Sequence, residues 1–270
     1  MTRPCAMAFV MGCRTVIPAD FTKFEWPRPE LFSKMMEIDP STPSEEEKTK
    51  KGVSQLRYLQ FLDEKTSTSS LGFRIDAAKT VVEGAGEDGG RGLAPLPLPA
   101  GVTFETLKNE SDVATALAIF LQDDYDLCKA VSLKLDAVAA ALERSDFFAR
   151  HVLLRSTLLL VYDDAARGKM ELKMLNFGSC YPLPEGASAS HEGLTWGGTA
   201  ESHEDGYLTG VRSLADLAKQ VMSAQAHENR VSITYQSAAG PSALAQALGV
   251  RPVWKREGEK VICKTTSGGG

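Results

Sequence analysis

Residues 111–177 contain two kinds of hydrophobic repeat, and their order limits the folds that this chain can adopt. Apolar residues recur at helical spacing over 111–124 and 126–145, which predicts two helices that each bury one face. Strand patterns follow over 151–163 and 169–177, and the sequence DAARG between them predicts a hairpin. Amphipathic helices that lead into paired strands indicate an α+β domain.

The sequence before and after this region predicts further elements of the same kind. In chain order they are a strand over 4–17, helices over 28–62, a strand over 70–76 and a final helix over 205–225. Within the helical region, Thr42 is predicted to be an N-cap, with Pro43 at the first helical position and Glu45 completing a capping box. The fold is therefore predicted to be α+β with a helical insertion after the first strand.

Two stretches are predicted to lie outside the core. Residues 84–101 are rich in glycine and proline, which is typical of a linker. Residues 229–270 are polar and end in three glycines, so we expect a separate, mobile tail. We therefore predict a single domain over residues 1–228, which contains the linker, followed by the tail.

The composition favours an intracellular globular protein, cytoplasmic or nuclear. The 270 residues carry a formal net charge of −5, which argues against a general affinity for nucleic acid. No apolar run approaches the roughly 20 residues needed to span a bilayer, so no membrane span is expected. The five cysteines are scattered without a CxxC pair, which favours neither a disulfide framework nor a zinc site. The sequence identifies no protein partner.

Five stretches stand in an order that is typical of one enzyme family. They are MMEIDPSTPSEEE (35–47), RYLQF (57–61), LGFRID (71–76), NFGSCYPLPEG (176–186) and EDGYLTGVRSL (204–214). Together they resemble the inositol polyphosphate kinase family, and most closely its inositol 1,4,5-trisphosphate 3-kinase branch. The resemblance covers residues 4–225.

This resemblance implies a protein-kinase-like, ATP-grasp-like fold, of which the chain would hold mainly the C-terminal lobe. The helical insertion, 28–66, would bind an inositol phosphate. The implied activity is transfer of the γ-phosphoryl group of ATP to an inositol hydroxyl, with ATP and Mg²⁺ as cofactors. The family's nucleotide-binding lobe lies upstream of the first motif, and we expect this chain to lack it.

The family signature P-x-x-x-D-x-K-x-G falls on PCAMAFVMG, with Pro4 and Gly12 in place. Ala8 occupies the position of the Asp that acts at the attacking hydroxyl, and Val10 that of the Lys that meets substrate phosphate. Alanine and valine can neither accept a proton nor carry a charge. No catalytic residue of the signature is therefore intact.

Asn176 occupies the position where the family has an Asp that holds magnesium. An amide oxygen can coordinate the ion, but it supplies no charge to offset it. The other interpretation is that Asn176 is a turn residue at the end of a strand. The turn is the favoured interpretation, given the losses in the signature.

The substrate pocket implied by the resemblance is altered in the same way. Arg57, Tyr58 and Lys79 match substrate-binding positions, whereas Gln55 and Leu62 stand where the family has basic residues. A trisphosphate needs convergent Lys and Arg donors to replace its water, so tight binding is not expected. Three further lysines lie nearby in sequence: Lys50, Lys51 and Lys65. They either replace the missing basic residues of the pocket or form a solvated surface, and the solvated surface is the favoured interpretation.

The remaining polar residues are interpreted as structural. Asp205 and Gly206 match the family and are expected to open the last helix, with Asp205 as its N-cap. His191 and His203 lie close to acidic residues, but their spacing fits no familiar metal-ligand motif. A divergent kinase is one hypothesis, and we expect this chain to be inactive as it stands. The alternatives are a catalytically dead binding or scaffold domain, and a fragment of a larger kinase.

Overall fold

A computed structural model describes residues 2–17, 20, 26–86, 89–194, 203–234, 252–257 and 260–265. The chain divides into two compact units, Met1–Met222 and Ser223–Gly270. The first unit contains a five-stranded sheet together with helices, and this mixture confirms the predicted α+β class. None of the helices in the described ranges is long and apolar enough to cross a membrane.

An antiparallel sheet of five strands organises the first unit. Its strands, in chain order, are β1 (Pro4–Met11), β2 (Phe73–Val82), β3 (Gly92–Pro95), β5 (Thr157–Asp163) and β6 (Ala166–Leu175). Their order across the sheet is β3-β2-β1-β5-β6, so β1 lies at the centre. Two further strands, β4 (His151–Leu153) and β7 (Cys180–Pro182), form a separate pair.

The helices in the described ranges are mostly those that the sequence predicted. They are α1 (Pro29–Ile38), α2 (Glu45–Lys50), α3 (Gln55–Lys65), α4 (Thr68–Leu71), α5 (Glu110–Phe120), α6 (Tyr125–Glu143), α7 (Asp146–Ala149) and α8 (Tyr207–Thr234). The amphipathic patterns over 111–124 and 126–145 correspond to α5 and α6, because both helices bury the predicted apolar stripe. The final helix continues to Thr234, beyond the predicted end at residue 225.

The central strand β1 has two different faces. Cys5, Met7, Phe9 and Met11 are completely buried in the main core, which also contains apolar residues of α5, α6 and α8. The residues between them are Ala6, Ala8 and Val10. We call the side of the sheet that carries these three residues the outer face. Their paired neighbours lie on the same face: Lys79, Ala77 and Arg74 in β2, and Val161, Leu159 and Thr157 in β5.

The helical insertion 28–66 contains α1, α2 and α3 around a small core of its own. Leu31, Met35, Val53 and Phe61 are the buried residues of this core. The predicted N-cap at Thr42 is wrong by two residues, since Ser44 caps α2 and forms the capping box with Glu47. The Thr42 hydroxyl lies in the preceding turn and donates to Asp39, at 2.9 Å.

The predicted linker over 84–101 is also wrong in part. Residues Gly92–Pro95 form the edge strand β3, and Leu96 is only 5% exposed in the main core. Proline is tolerated in this strand because an edge strand pairs on one side only. Leu98 packs against the same core. The Gly/Pro composition of this stretch predicted a linker, and Leu96 and Leu98, which pack in the core, were overlooked in the sequence.

The predicted hairpin over 151–177 is shorter and tighter than the sequence indicated. Its first strand is interrupted, because His151–Leu153 pair with Cys180–Pro182 and Arg155 adopts a left-handed φ of 54°. The hairpin itself joins β5 to β6, and only Asp164 and Ala165 lie between the strands. The strand predicted over 4–17 likewise ends early, at Met11.

The second unit, Ser223–Gly270, includes the whole stretch predicted to be a polar tail, 229–270. Its described residues form the end of α8 and an antiparallel hairpin of β8 (Pro252–Glu257) and β9 (Lys260–Thr265). The remainder of that stretch lies outside the described residues. The mobility of the tail stays a prediction.

Candidate functional site

The three altered positions of the family motifs lie together at one end of the outer face. Val10 pairs with Thr157 of β5, and Ala8 pairs with Leu159 two residues further along. The Asn176 side chain reaches the same place, because its Nδ2 donates to Oγ1 of Thr157 at 2.8 Å. Positions that are separated by more than 160 residues in sequence therefore meet in the fold.

Asn176 occupies a tight turn at the end of β6. Its backbone is left-handed, with φ 63° and ψ 57°, and a short 3-10 turn, Phe177–Ser179, follows it. Asparagine adopts this conformation more readily than most residues because its short polar side chain can hydrogen-bond locally. The bond to Thr157 is such a contact. The Asn176 amide therefore stabilises the turn through its bond to Thr157.

One carboxylate near these positions was missed in the sequence. The pairing of β1 with β2 shifts between Ala8 and Phe9, since Ala8 pairs with Ala77 and Phe9 with Ile75. Asp76 is the extra residue in this β-bulge, and it is exposed. A bulge changes the direction of side chains locally, and no pattern in the sequence indicated it.

The side chains at this end of the outer face do not fit a magnesium site. Within the described ranges, no group of three or more His, Cys, Asp and Glu residues could hold a metal ion. Magnesium is held in an octahedral set of oxygen ligands that usually includes one or two carboxylates. The amide of Asn176, which donates to Thr157, does not supply such a set.

The loop after β1 is held by contacts that require glycine at position 12. The backbone N–H of Gly12 donates to Gly72 at 2.7 Å, and that of Cys13 donates to the carbonyl of Asp205 at 2.6 Å. Gly12 has a φ of +101°, and a Cβ there would lie 2.8 Å from the Asp205 carbonyl oxygen. A side chain at this position would therefore be strained and would displace the backbone.

Asp205 joins three parts of the chain behind this loop. Its carboxylate accepts hydrogen bonds from the backbone N–H groups of Leu153, at 2.8 Å, and Tyr207, at 3.0 Å. It also lies 2.8 Å from Nδ1 of His191. Asp205 and Gly206 directly precede the last helix, as predicted, but Asp205 is not its N-cap, because α8 begins at Tyr207 and Gly206 occupies that position. The Asp205 carboxylate instead joins the first N–H of α8 to β4 and a distant loop.

His191 is enclosed between two hydrogen-bond acceptors. Nδ1 faces the Asp205 carboxylate, and Nε2 lies 2.7 Å from the carbonyl oxygen of Phe148. The ring also stacks on the Phe148 ring, with centroids 3.8 Å apart. Burial alone would lower the pKa of His191, but the hydrogen bond and charge of Asp205 and the Phe148 carbonyl together raise it. Only the imidazolium form can donate to both acceptors.

The matching substrate positions on α3 are already engaged within the insertion. Arg57 and Glu47 form an ion pair, with Nε of Arg57 3.1 Å from Oε1 of Glu47. Tyr58 packs against the small core, and its ring centroid is 6.1 Å from that of Phe61. Burial is the main cause that raises the pKa of Tyr58. The two side chains thus serve the insertion itself.

The insertion as a whole is not a basic surface. Residues 28–66 hold seven Lys and Arg residues and eight Asp and Glu residues. Five of the seven cations form ion pairs inside the insertion: Arg28–Glu30, Lys48–Glu45, Lys50–Glu46, Arg57–Glu47 and Lys65–Asp39. At the positions where the family has basic residues, Gln55 accepts from Arg28, and Leu62 packs in the small core.

Lys79 lies apart from these residues. It is exposed on the outer face, opposite Ala6 and Pro95. Ala6 is two residues from Ala8 and four from Val10, so roughly 7 Å of strand separates Lys79 from the first altered position and roughly 13 Å from the second. Tyr58, by contrast, is near the other end of β2, where the charge of Arg74 acts on its hydroxyl. Along β2, five residues separate Lys79 from Arg74, the residue whose charge acts on Tyr58.

Comparison with known proteins agrees with the five motif stretches. A family model described as inositol polyphosphate kinase matches residues 1–219. The chain is 33% identical over 221 residues to human inositol-trisphosphate 3-kinase B, an alignment that covers 81% of this chain and 21% of that protein. It is 32% identical over 217 residues to rat inositol-trisphosphate 3-kinase A, covering 79% and 43%. The Caenorhabditis elegans homologue is 30% identical over 221 residues, covering 82% and 40%.

Two solved structures are similar at lower identity. An inositol phosphate multikinase superposes with a TM-score of 0.48 at 15% identity, over 82% of this chain and 80% of that chain. The multikinase of S. cerevisiae, solved with ADP and Mn²⁺, gives 0.46 at 12% identity, over 81% and 78%. The chain spans less than half the length of the three curated relatives described above. On the extent of the family match, this chain belongs to the inositol polyphosphate kinase family, and it is close to the inositol-trisphosphate 3-kinase branch.

Proposed function

We propose that this chain does not transfer phosphoryl groups as it stands and acts as a binding or scaffold domain that retains the family fold. The observation that carries the proposal is the meeting of Ala8, Val10 and Asn176 at one end of the outer face. Phosphoryl transfer needs positioning, a metal and cations that offset the charge of the phosphates. Alanine and valine supply none of these, and the neutral amide of Asn176 supplies no charge to offset a metal ion.

The state of the insertion supports the same proposal. A trisphosphate carries several negative charges and needs convergent, available donors. Arg57, Lys50 and Lys65 each face a carboxylate of the insertion instead. An incoming trisphosphate would have to displace those carboxylates, and this lowers the affinity.

A transfer assay with labelled ATP, Mg²⁺ and inositol 1,4,5-trisphosphate tests the proposal. The expected result is no product above a protein-free blank, while a human inositol-trisphosphate 3-kinase turns over under the same conditions. Calorimetric titration of the chain with the same inositol phosphate, with and without Mg²⁺ and ATP, is expected to show no micromolar binding. Product formation in the assay would overturn the proposal.

Asp76 favours a second candidate function, an active inositol phosphate kinase with ATP and Mg²⁺ as cofactors. Its exposed carboxylate sits in the bulge directly opposite the strand segment that holds Ala8. A carboxylate there could accept the proton of an attacking hydroxyl in place of the missing one. If the assay does show transfer, Asp76→Asn should abolish it, whereas Asp126→Asn, at an exposed position on α6, should leave it unchanged.

A further inference from the structure

The outer edge of β6 is a long strand edge with free backbone groups. β6 runs for ten residues at one side of the five-stranded sheet, and β5 pairs with its inner side. In the part of the chain that the structure describes, no backbone hydrogen bond reaches its other side. Unpaired N–H and C=O groups along such an edge can pair with another strand.

The side chains of β6 alternate between the core and the solvent. Met170, Leu172 and Met174 pack against the main core. Glu171 and Lys173 lie on the opposite face, where both are more than half exposed and form an ion pair at 3.0 Å. The strand therefore presents Glu171 and Lys173 side by side along its free edge, with Lys169 also exposed on this face.

This charge pattern is complementary to itself in one antiparallel register. When two copies of β6 pair with Leu172 opposite Leu172, Glu171 of each copy lies opposite Lys173 of the other. Opposite charges at directly facing positions stabilise a strand pair, and like charges destabilise it. A shift of the centre to Glu171 places the two Glu171 residues opposite each other. A shift to Lys173 does the same for the two lysines.

The alternation of side chains between the two faces of a strand also favours this register. A centre between two residues would place the core side of one copy against the solvent side of the other. A centre at Met170 would bring Arg167 opposite Lys173. Among these neighbouring registers, only the one at Leu172 places both Glu171 and Lys173 opposite a residue of opposite charge and keeps the apolar residues on one side.

We propose that a second copy of this chain pairs antiparallel with β6, in the register centred on Leu172. The two sheets then form one continuous sheet of ten strands, related by a two-fold axis through Leu172. Both outer faces lie on the same side of this sheet. Because the contact is mainly one strand edge, we expect a weak, concentration-dependent dimer.

Sedimentation of the whole chain over a range of concentrations, at low and at high salt, tests the proposal. The wild type is expected to self-associate, and high salt should weaken the association because the paired charges are exposed. Glu171→Lys and Lys173→Glu each place like charges opposite one another twice, which should weaken dimerisation by roughly tenfold or more. The double variant E171K/K173E exchanges the charges and should restore the wild-type association.

Two controls keep the result specific to this edge. Lys219→Glu, on the exposed side of α8, should leave the association unchanged. Hydrogen exchange of the wild type should show added amide protection within 166–175 as the concentration rises, and this measurement needs no variant. A wild type that stays monomeric at all concentrations, or a double variant as weak as the single variants, would overturn the proposal.

Discussion

Nδ1 of His191 lies 2.8 Å from Oδ1 of Asp205, and both side chains are almost completely removed from solvent. The other ring nitrogen meets the Phe148 carbonyl at 2.7 Å, so both acceptors receive a hydrogen bond only when the ring is protonated. The Asp205 carboxylate also accepts hydrogen bonds from the backbone N–H groups of Leu153 and Tyr207. The charge of one histidine thus stabilises the junction of a loop, a strand and the last helix.

The stability of the fold should therefore fall when His191 loses its proton. The folded-state pKa of His191 is raised above its ordinary value of 6.5, mainly by Asp205 acting against burial. Stabilisation from this group is complete below about pH 6.5 and is lost as the pH rises through the raised pKa. Denaturant unfolding between pH 6 and pH 9 should show this decrease, and His191→Gln should be less stable at pH 6 and nearly independent of pH in that range.

His151→Gln is the matched control for this experiment. His151 is only partly buried, and its Nδ1 contacts the carbonyl of Phe147 at 2.8 Å. The variant should keep the pH dependence of the wild type. Glu204 acts in a different range, because the hydrogen bonds from Ser190 and Gly193 outweigh its burial and lower its pKa. The stabilisation from Glu204 is lost only as the solution becomes acidic, so Glu204 does not contribute to the change in stability between pH 6 and pH 9.

Replacement of Asn176 should reveal whether this residue serves the turn. Asn176→Ala removes the bond to Thr157 and leaves a side chain that disfavours a φ of 63°, so it should lower the free energy of unfolding by about 1–2 kcal/mol. Asn176→Gly should cost less, because glycine adopts this conformation freely. Thermal unfolding with and without MgCl₂ separates the two interpretations. A melting temperature that Mg²⁺ raises in the wild type but not in Asn176→Ala would identify a metal ligand instead.

Release of Arg57 from its carboxylate should strengthen any residual binding of inositol phosphate. Glu47→Gln removes the ion pair with Arg57, while glutamine can still complete the capping box with Ser44. We expect calorimetric affinity for inositol 1,4,5-trisphosphate to rise several-fold, since a charged donor becomes available. Glu45→Gln breaks the neighbouring pair with Lys48 and tests whether the gain depends on Arg57. Equal effects of the two variants would show that only the overall charge matters.

The stretch between β2 and α5 should contribute to stability through Leu96. This side chain is 5% exposed in the main core, so Leu96→Ala should lower the free energy of unfolding by about 2–5 kcal/mol. Leu93 lies three residues earlier and is 45% exposed, so Leu93→Ala should change it by less than about 1 kcal/mol. Denaturant titration of both variants checks the difference. Similar small losses in both would mean that 84–101 is a linker after all.

The sequence predicted the parts of the fold that depend on local periodicity. Helices α5 and α6 were predicted because each repeats its apolar residues every three or four positions, and tertiary packing then buried that stripe. β6 was predicted with the correct faces, since Met170 and Met174 alternate with exposed charges. The altered positions Ala8, Val10 and Asn176 could be named from the motifs, but not the contact that joins Asn176 to Thr157.

The parts that were missed depend on contacts between distant residues. Asp76 gains its position from a register shift between two strands, and a bulge of this kind leaves no pattern in one strand alone. His151–Leu153 were assigned to the hairpin because the chain there is continuously apolar, yet they pair with a segment almost 30 residues away. The pairing of Arg57 with Glu47 likewise brings together two helices of the insertion.

The two faces of β1 separate what this strand does for folding from what it offers to chemistry. Met7 and Phe9 hold the core, while Ala8 and Val10, between and beside them, contact no helix stripe of that core. Exchange of side chains at 8 and 10 therefore leaves the folding of the domain largely unaffected. A lineage can lose a reaction at such a strand without losing the protein, and an engineer can introduce new side chains there one at a time.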